Sequence, residues 1–185
     1  MERTPGSAIA APVIETERLR LRAHRSEDLP HCRAMWSDPA VIRFIGGTPA
    51  NAQRIEARLL AYARHWTVMG FGYWVIEERA SAAFAGEIGF ASFRREISTT
   101  WHTGPELGFA LATRFHGRGY ATEAVRAVLA WGDVWLPGER CISVVDDENT
   151  ASRRVLRKAG FDVIERRMLG DRPVAVFSRP LGLPE

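Results

Sequence analysis

The segment Arg114-Phe-His-Gly-Arg-Gly-Tyr-Ala121 follows a strand-like run, 106–113, and opens a helical pattern. Ala121, Ala124, Val125, Val128, Leu129 and Trp135 recur at helical spacing over about 120–135, which predicts one apolar helix face. Gly117 and Gly119 carry no Cβ, so successive amide N–H groups at the helix start can converge on one anion, for which a diphosphate is the natural guest. A tight strand-to-helix corner is the other reading of a bare pair of glycines. A Walker loop is excluded, because it requires lysine after the last glycine and Lys158, the one lysine, lies in another helix. A dinucleotide fingerprint requires a third glycine where Thr122 stands.

Upstream, Thr16-Glu-Arg-Leu-Arg-Leu-Arg22 alternates with period two, and 13–22 reads as one amphipathic strand. Ser26 is the expected N-cap of a helix running to about Trp36. A second helix is expected from Thr48-Pro49, with Ile55, Leu59, Tyr62 and Trp66 on one face and Gly70 as its stop. Runs 71–78 and 84–94, joined by the short link 80–83, are expected to be antiparallel neighbours. Downstream come a strand at 141–145, a short helix at about 149–159 and strands at about 162–168 and 173–179. The order β-α-α-β-β-β-α-β-α-β-β has one βαβ crossover, between residues 106 and 145, and a ligand crevice is expected there. The fold class is therefore mixed α/β, with one domain over 13–180 and tails at 1–12 and 181–185.

A chain of 185 residues, 46% of them hydrophobic, can bury a core of its own. No apolar run approaches the ~20 residues of a membrane span, and residues 1–14 make a poor signal peptide. Cys32 and Cys141 are expected to be reduced and buried, and the expected location is cytoplasmic. The net charge of +3 is spread along the chain, which argues against nucleic acid as a partner. His102 and His116 lack a second ligand at metal spacing, so no metal is expected.

Four pieces in order resemble the GNAT acetyltransferase superfamily, in its ribosomal-protein N-terminal (RimJ/RimL-like) branch. They are Thr16–Arg22 with Glu27-Asp-Leu-Pro30, then Pro105-Glu-Leu-Gly-Phe-Ala-Leu111, then Arg114–Ala124, then Asn149-Thr-Ala-Ser-Arg-Arg-Val-Leu-Arg-Lys-Ala-Gly-Phe161. The resemblance implies a GNAT fold: a mostly antiparallel twisted sheet, splayed at an acyl-coenzyme A site, with helices on both faces. It implies acetyl-CoA as co-substrate and an amine acceptor, either a peptide N-terminus or a small amine, with a homodimer as a further implication. Backbone groups of Phe109, Ala110 and Leu111 are expected to pair with the pantetheine arm. The amides of His116, Gly117, Arg118, Gly119, Tyr120, Ala121 and Thr122 are expected to hold the pyrophosphate. Arg114 and Arg118 add charge, while Asn149 and Ser152 meet the ligand from the other side of the crevice.

Many superfamily members place a tyrosine four residues after the Ser152 position to protonate the leaving thiolate; here Leu156 stands there. Ser152 is the substitute donor to sulfur, with helix capping as its plainer role. Glu106 is the candidate base, acting directly or through water, and Glu87 is its rival. Glu123 reads as structural. Trp36, Phe44, Trp74 and Trp101 are candidates to line the acceptor pocket, and 43–48 to frame it. The departure at Leu156 leaves a non-catalytic acyl-CoA-sensing module as the alternative to an enzyme.

Overall fold

A computed structural model describes residues 11–45, 51–92 and 105–182. Among these, eight strands form one sheet: β1 (Ile14–Glu15), β2 (Leu19–Arg22), β3 (Tyr73–Glu78), β4 (Ala83–Ala91), β5 (Glu106–Leu111), β6 (Arg140–Asp146), β7 (Asp162–Leu169) and β8 (Arg172–Pro180). Their spatial order is β1-β2-β3-β4-β5-β6-β8-β7, and only the β5–β6 contact is parallel. The helices are α1 (Leu29–Ser37), α2 (Pro39–Ile42), α3 (Ala52–Met69), α4 (Tyr120–Trp135) and α5 (Thr150–Lys158). The mixed fold class and the single crossover are as expected.

Cross-strand register assigns the two faces of the sheet. Tyr73, Gly89 and Gly108 stand opposite one another, as do Val75, Glu87 and Ala110. Directly opposed residues point to the same side, so this face carries both glutamate candidates, and α1 and α3 cover it. There Cys32, Trp36 and Ile55 pack on Val75 and Ala110, and Tyr62 packs on Tyr73 and Ala91. On the other face Trp74, Ile76, Ile88, Phe90 and Leu107 pack against Ala124, Val125, Val128 and Leu129 of α4. Each such side chain contributes roughly 1.5–3 kcal/mol on full burial, which fixes the sheet between the two helical layers.

Four expectations change. The run 13–22 is two antiparallel strands, because Thr16 turns the chain, its N–H donating to Leu19 O at 2.9 Å and its hydroxyl oxygen accepting the Leu19 N–H at 3.0 Å. Ser26 makes no cap bond; it starts a 3-10 turn, Ser26–Asp28, in which the Asp28 carboxylate accepts the Arg25 N–H at 2.7 Å. Trp135 is exposed, since the apolar stripe of α4 continues through Gly132, not through Trp135. Among described residues α3 starts at Ala52, capped by Asn51, whose side chain accepts the Arg54 N–H; Thr48 and Pro49 lie outside them. Gly70 ends α3 at φ 75°, as its left-handed cap.

A buried ionic cluster ties β2 to the start of α1. Arg22 donates to both Asp28 oxygens at 2.8 Å and to Glu77 at 2.7 Å. Removing one partner of such a set leaves uncompensated charge, so R22A is expected to cost about 3–5 kcal/mol in urea unfolding; a loss below about 1 kcal/mol is the value for a solvated surface pair. Burial by itself raises the Asp28 pKa, but the Arg22 hydrogen bonds, the Arg25 N–H and the Arg22 charge hold it below the usual carboxylate range. A carboxyl whose folded pKa is depressed stabilises the fold above its unfolded pKa, ~3.9, and loses that contribution as pH falls through the folded value. Acid below about pH 4 should therefore weaken the wild type more than R22A.

Candidate active site

The crossover opens the crevice by parting its two strands. Among the described residues β5 and β6 register only at Glu106↔Ile142. Near this apex the Ile142 N–H donates to Pro105 O at 3.1 Å, and the Ser143 hydroxyl donates to Leu107 O at 2.9 Å. Beyond it the strands diverge. Backbone direction alternates along a strand, so Phe109 and Leu111, like Leu107, turn their peptide groups toward the gap. Ala110 turns its peptide groups toward Glu87 of β4. The Leu111 carbonyl accepts from His116 Nε2 at 2.9 Å, which assigns that ring nitrogen its proton.

The loop from His116 to Gly119 is exposed and leads into α4. Gly117 and Gly119 have φ of 75° and 81°, the left-handed region that a Cβ disfavours. The first helical amides after Gly119 have no intrahelical acceptor and face outward from the helix start. A clamp from the far end of the chain holds this loop. Arg18 donates to Arg118 O at 2.9 Å and, through Nε, to Glu123 at 2.7 Å, while Glu123 also accepts from Thr16 Oγ1 and the Arg18 N–H. Tyr120 turns its buried ring inward and donates to Glu78 at 2.6 Å, so only its backbone faces the loop mouth. Arg114 donates to Phe84 O, and Arg118 lies near Glu78 at 3.3 Å. Glu123 is thus structural, as expected.

A cleft of about 430 Å³ extends from the gap to the face under α1 and α3. Glu87 and Glu106, both buried, line it together with Trp36, Tyr62 and Tyr73. Glu87 accepts from Trp36 Nε1 at 2.8 Å and Cys32 Sγ at 3.2 Å, and lies 3.0 Å from His24 Nε2. Burial, then the Glu87 charge, push the Cys32 thiol far up, so Cys32 acts as a neutral donor. Tyr73 crosses the bare backbone of β4 and β5: a Cβ at Gly108 would lie 2.2 Å from its hydroxyl. That hydroxyl therefore sits over the strand segment between the two carboxylates.

α5 closes the other side. Asn149 is its cap, with Oδ1 accepting the Ser152 N–H at 3.0 Å. Ser152 lines the cleft with Asn149, and the cap uses its backbone N–H. Leu156 is fully buried in the core and does not line the cleft.

Comparison with known proteins matches residues 18–162 to the acetyltransferase (GNAT) domain. The chain belongs to the GNAT acetyltransferase family. Uncharacterized N-acetyltransferase YoaA of Bacillus subtilis is 29% identical over 153 residues, 81% of this chain and 82% of that one. A putative GnaT-family acetyltransferase from Bordetella pertussis superposes with a TM-score of 0.81 at 25% identity, covering 91% of this chain and 99% of that one. RimL, a ribosomal alpha-N-protein acetyltransferase in complex with coenzyme A, shares the fold with a TM-score of 0.76 at 15% identity, over 92% and 98% of the two chains.

In this N-acetyltransferase the structure brings Glu106, Phe109, Ala110, Asn149 and Ser152 to one cleft, whereas Leu111 and 114–122 do not line it; 114–122 run from the end of β5 into the start of α4. Trp36 and Phe44 line the cleft, whereas Trp74 is core, donating to Pro12 O. Trp101 and His102 lie outside the described residues, as do 46–48 of the stretch 43–48. Sequence reasoning missed Arg18, His24, Cys32, Arg58, Tyr62 and Tyr73. Gly89 and Gly108 carried the usable signal for Tyr73, because glycine inside a strand marks close approach by another group.

Proposed function

We propose that this enzyme transfers the acetyl group of acetyl-CoA to a primary amine, a protein N-terminal α-amine or a small amine, by direct attack in a ternary complex. The carrying observation is the continuous cleft from the β5–β6 gap to the buried Glu106 and Glu87. In this reading the amides of 116–122 hold the pyrophosphate. The peptide groups of Phe109 pair with the pantetheine arm as an added strand. Glu106 takes the ammonium proton, directly or through one water, and the neutral nitrogen attacks the thioester carbonyl. The C–N bond forms and the C–S bond breaks; the departing sulfur accepts a hydrogen bond from Ser152 and takes up the surplus proton released by the attacking nitrogen, while Glu106 returns its own proton to solvent. Glu106 stands on β5, the strand that borders the gap, at its register point with β6, which favours it over Glu87 of β4 as the base. The likeness to RimL supports a place in the RimJ/RimL-like branch and a cytoplasmic setting.

Thiol release from acetyl-CoA across N-terminal peptides, polyamines and amino acids tests the activity; release with none of them sinks it. S152A is expected to lower kcat by about tenfold, the worth of one hydrogen bond to a charged atom, with CoA affinity near wild type. Equal rates would remove Ser152 from the chemistry.

A further inference from the structure

Arg58 of α3 also lines the acceptor end of the cleft, half-buried, with its guanidinium carbon 3.9 Å above the Trp36 ring. Among the described residues it has no carboxylate partner. The cleft's other arginine, Arg172, is engaged by Asp146 at 3.6 Å and by Phe44 O at 3.1 Å. His65 is spent on Ala61 O and the Ser92 N–H. One indole links the two kinds of charge: Trp36 carries Arg58 on its face and donates its N–H to Glu87. Tyr62 links them again. Burial pushes its phenol well up, the Glu87 charge adds to that, and Arg58 opposes it through charge and a hydrogen bond. The acceptor end is therefore bipolar, with carboxylates on the sheet and a guanidinium on the helix about one aromatic ring away.

We infer that Arg58 selects acceptors that carry an oxyanion a few bonds from the amine, as free amino acids do and as peptides with an acidic first residue do. A polyamine offers this guanidinium only a second cation. Stacking on Trp36 fixes the planar fork before the ligand arrives, which favours a carboxylate, since it can accept two parallel N–H bonds. The inference rests on the amine-acetyltransferase reading.

The test uses acceptors matched in size but differing in charge: L-alanine against L-alaninamide, β-alanine against β-alaninamide, and the peptide amides aspartyl-alanyl-alanine and asparaginyl-alanyl-alanine. The wild type is expected to favour the carboxylate member of at least one pair by about tenfold in kcat/KM, mainly through KM, as for one charge-assisted contact. The peptide pair and the amino-acid pairs distinguish a protein N-terminus from a free amino acid. R58Q keeps the stem and planar head, and R58K keeps the charge. R58Q is expected to bring the ratio within each pair close to one, and R58K to restore part of it.

Calorimetry of the same acceptors against enzyme loaded with CoA reads the preference without turnover, so a failure of the activity and a failure of the selection are told apart. No thiol release, but carboxylate binding that R58Q abolishes, sinks the activity and keeps the role of Arg58. A wild type indifferent within every pair in both assays overturns the inference. So does an R58Q effect equal on both members of each pair, or an R58Q loss of CoA binding itself.

Discussion

Replacing Glu106 by glutamine is expected to lower kcat by about 100-fold or more at neutral pH, the usual contribution of a positioned general base, with CoA affinity little changed. The substitution keeps size and one acceptor oxygen but cannot take a proton from the attacking ammonium. The loss should shrink as pH rises toward the amine's own pKa, near ~8 for an α-amine, because more acceptor then arrives neutral. Persistence of the full deficit at high pH would mean that Glu106 orients the acceptor and leaves the proton to another group. If E106Q stays within about threefold of wild type while E87Q does not, the base moves to β4. E87Q is also expected to destabilise the fold, since Trp36, Cys32 and His24 all converge on that carboxylate.

Gly119→Glu is the second large effect. Calorimetric affinity for CoA is expected to fall by about 100-fold or more, the equivalent of two charge-assisted hydrogen bonds. A carboxylate at the helix start would compete for the same amides and repel the diphosphate. Part of any loss comes from the left-handed φ of 81°, which costs a side chain about 1–2 kcal/mol. Gly119→Ala carries that strain without the charge, so the difference between the two variants isolates the electrostatic part. Equal affinities for the two would place the diphosphate elsewhere.

The sequence made the second half of the fold legible because each element there is bounded by its own punctuation. Gly117 and Gly119 precede α4, Asn149 caps α5, and Gly160 and Gly170 take positive φ at turns. The first half was less legible. Thr16 splits β1 from β2 through one backbone and one side-chain bond to Leu19 that leave no mark on the hydrophobic alternation. Trp135 misled because the helical stripe counted its apolar ring, while Gly132 supplied the close approach to Phe90. In the site, the loop and strand positions were readable from local pattern. Arg58, Tyr62 and Tyr73 were not, since their roles arise where α3 meets the sheet. Helical spacing marks Tyr62 as core and leaves Arg58 looking like solvated surface.

Arg18 and Glu123 are 105 positions apart in the chain, yet their contact holds the loop before α4 in shape. Closing so long a loop is slow and entropically costly, so the proposed phosphate seat is expected to form late in folding. A chain that has formed α4 but not yet docked β2 should lack the finished seat. CoA should then bind the completed molecule and ignore its partly folded forms, raising the melting temperature in proportion to the logarithm of its concentration. Arrival of the co-substrate would act as a final check that the two ends of the polypeptide have met.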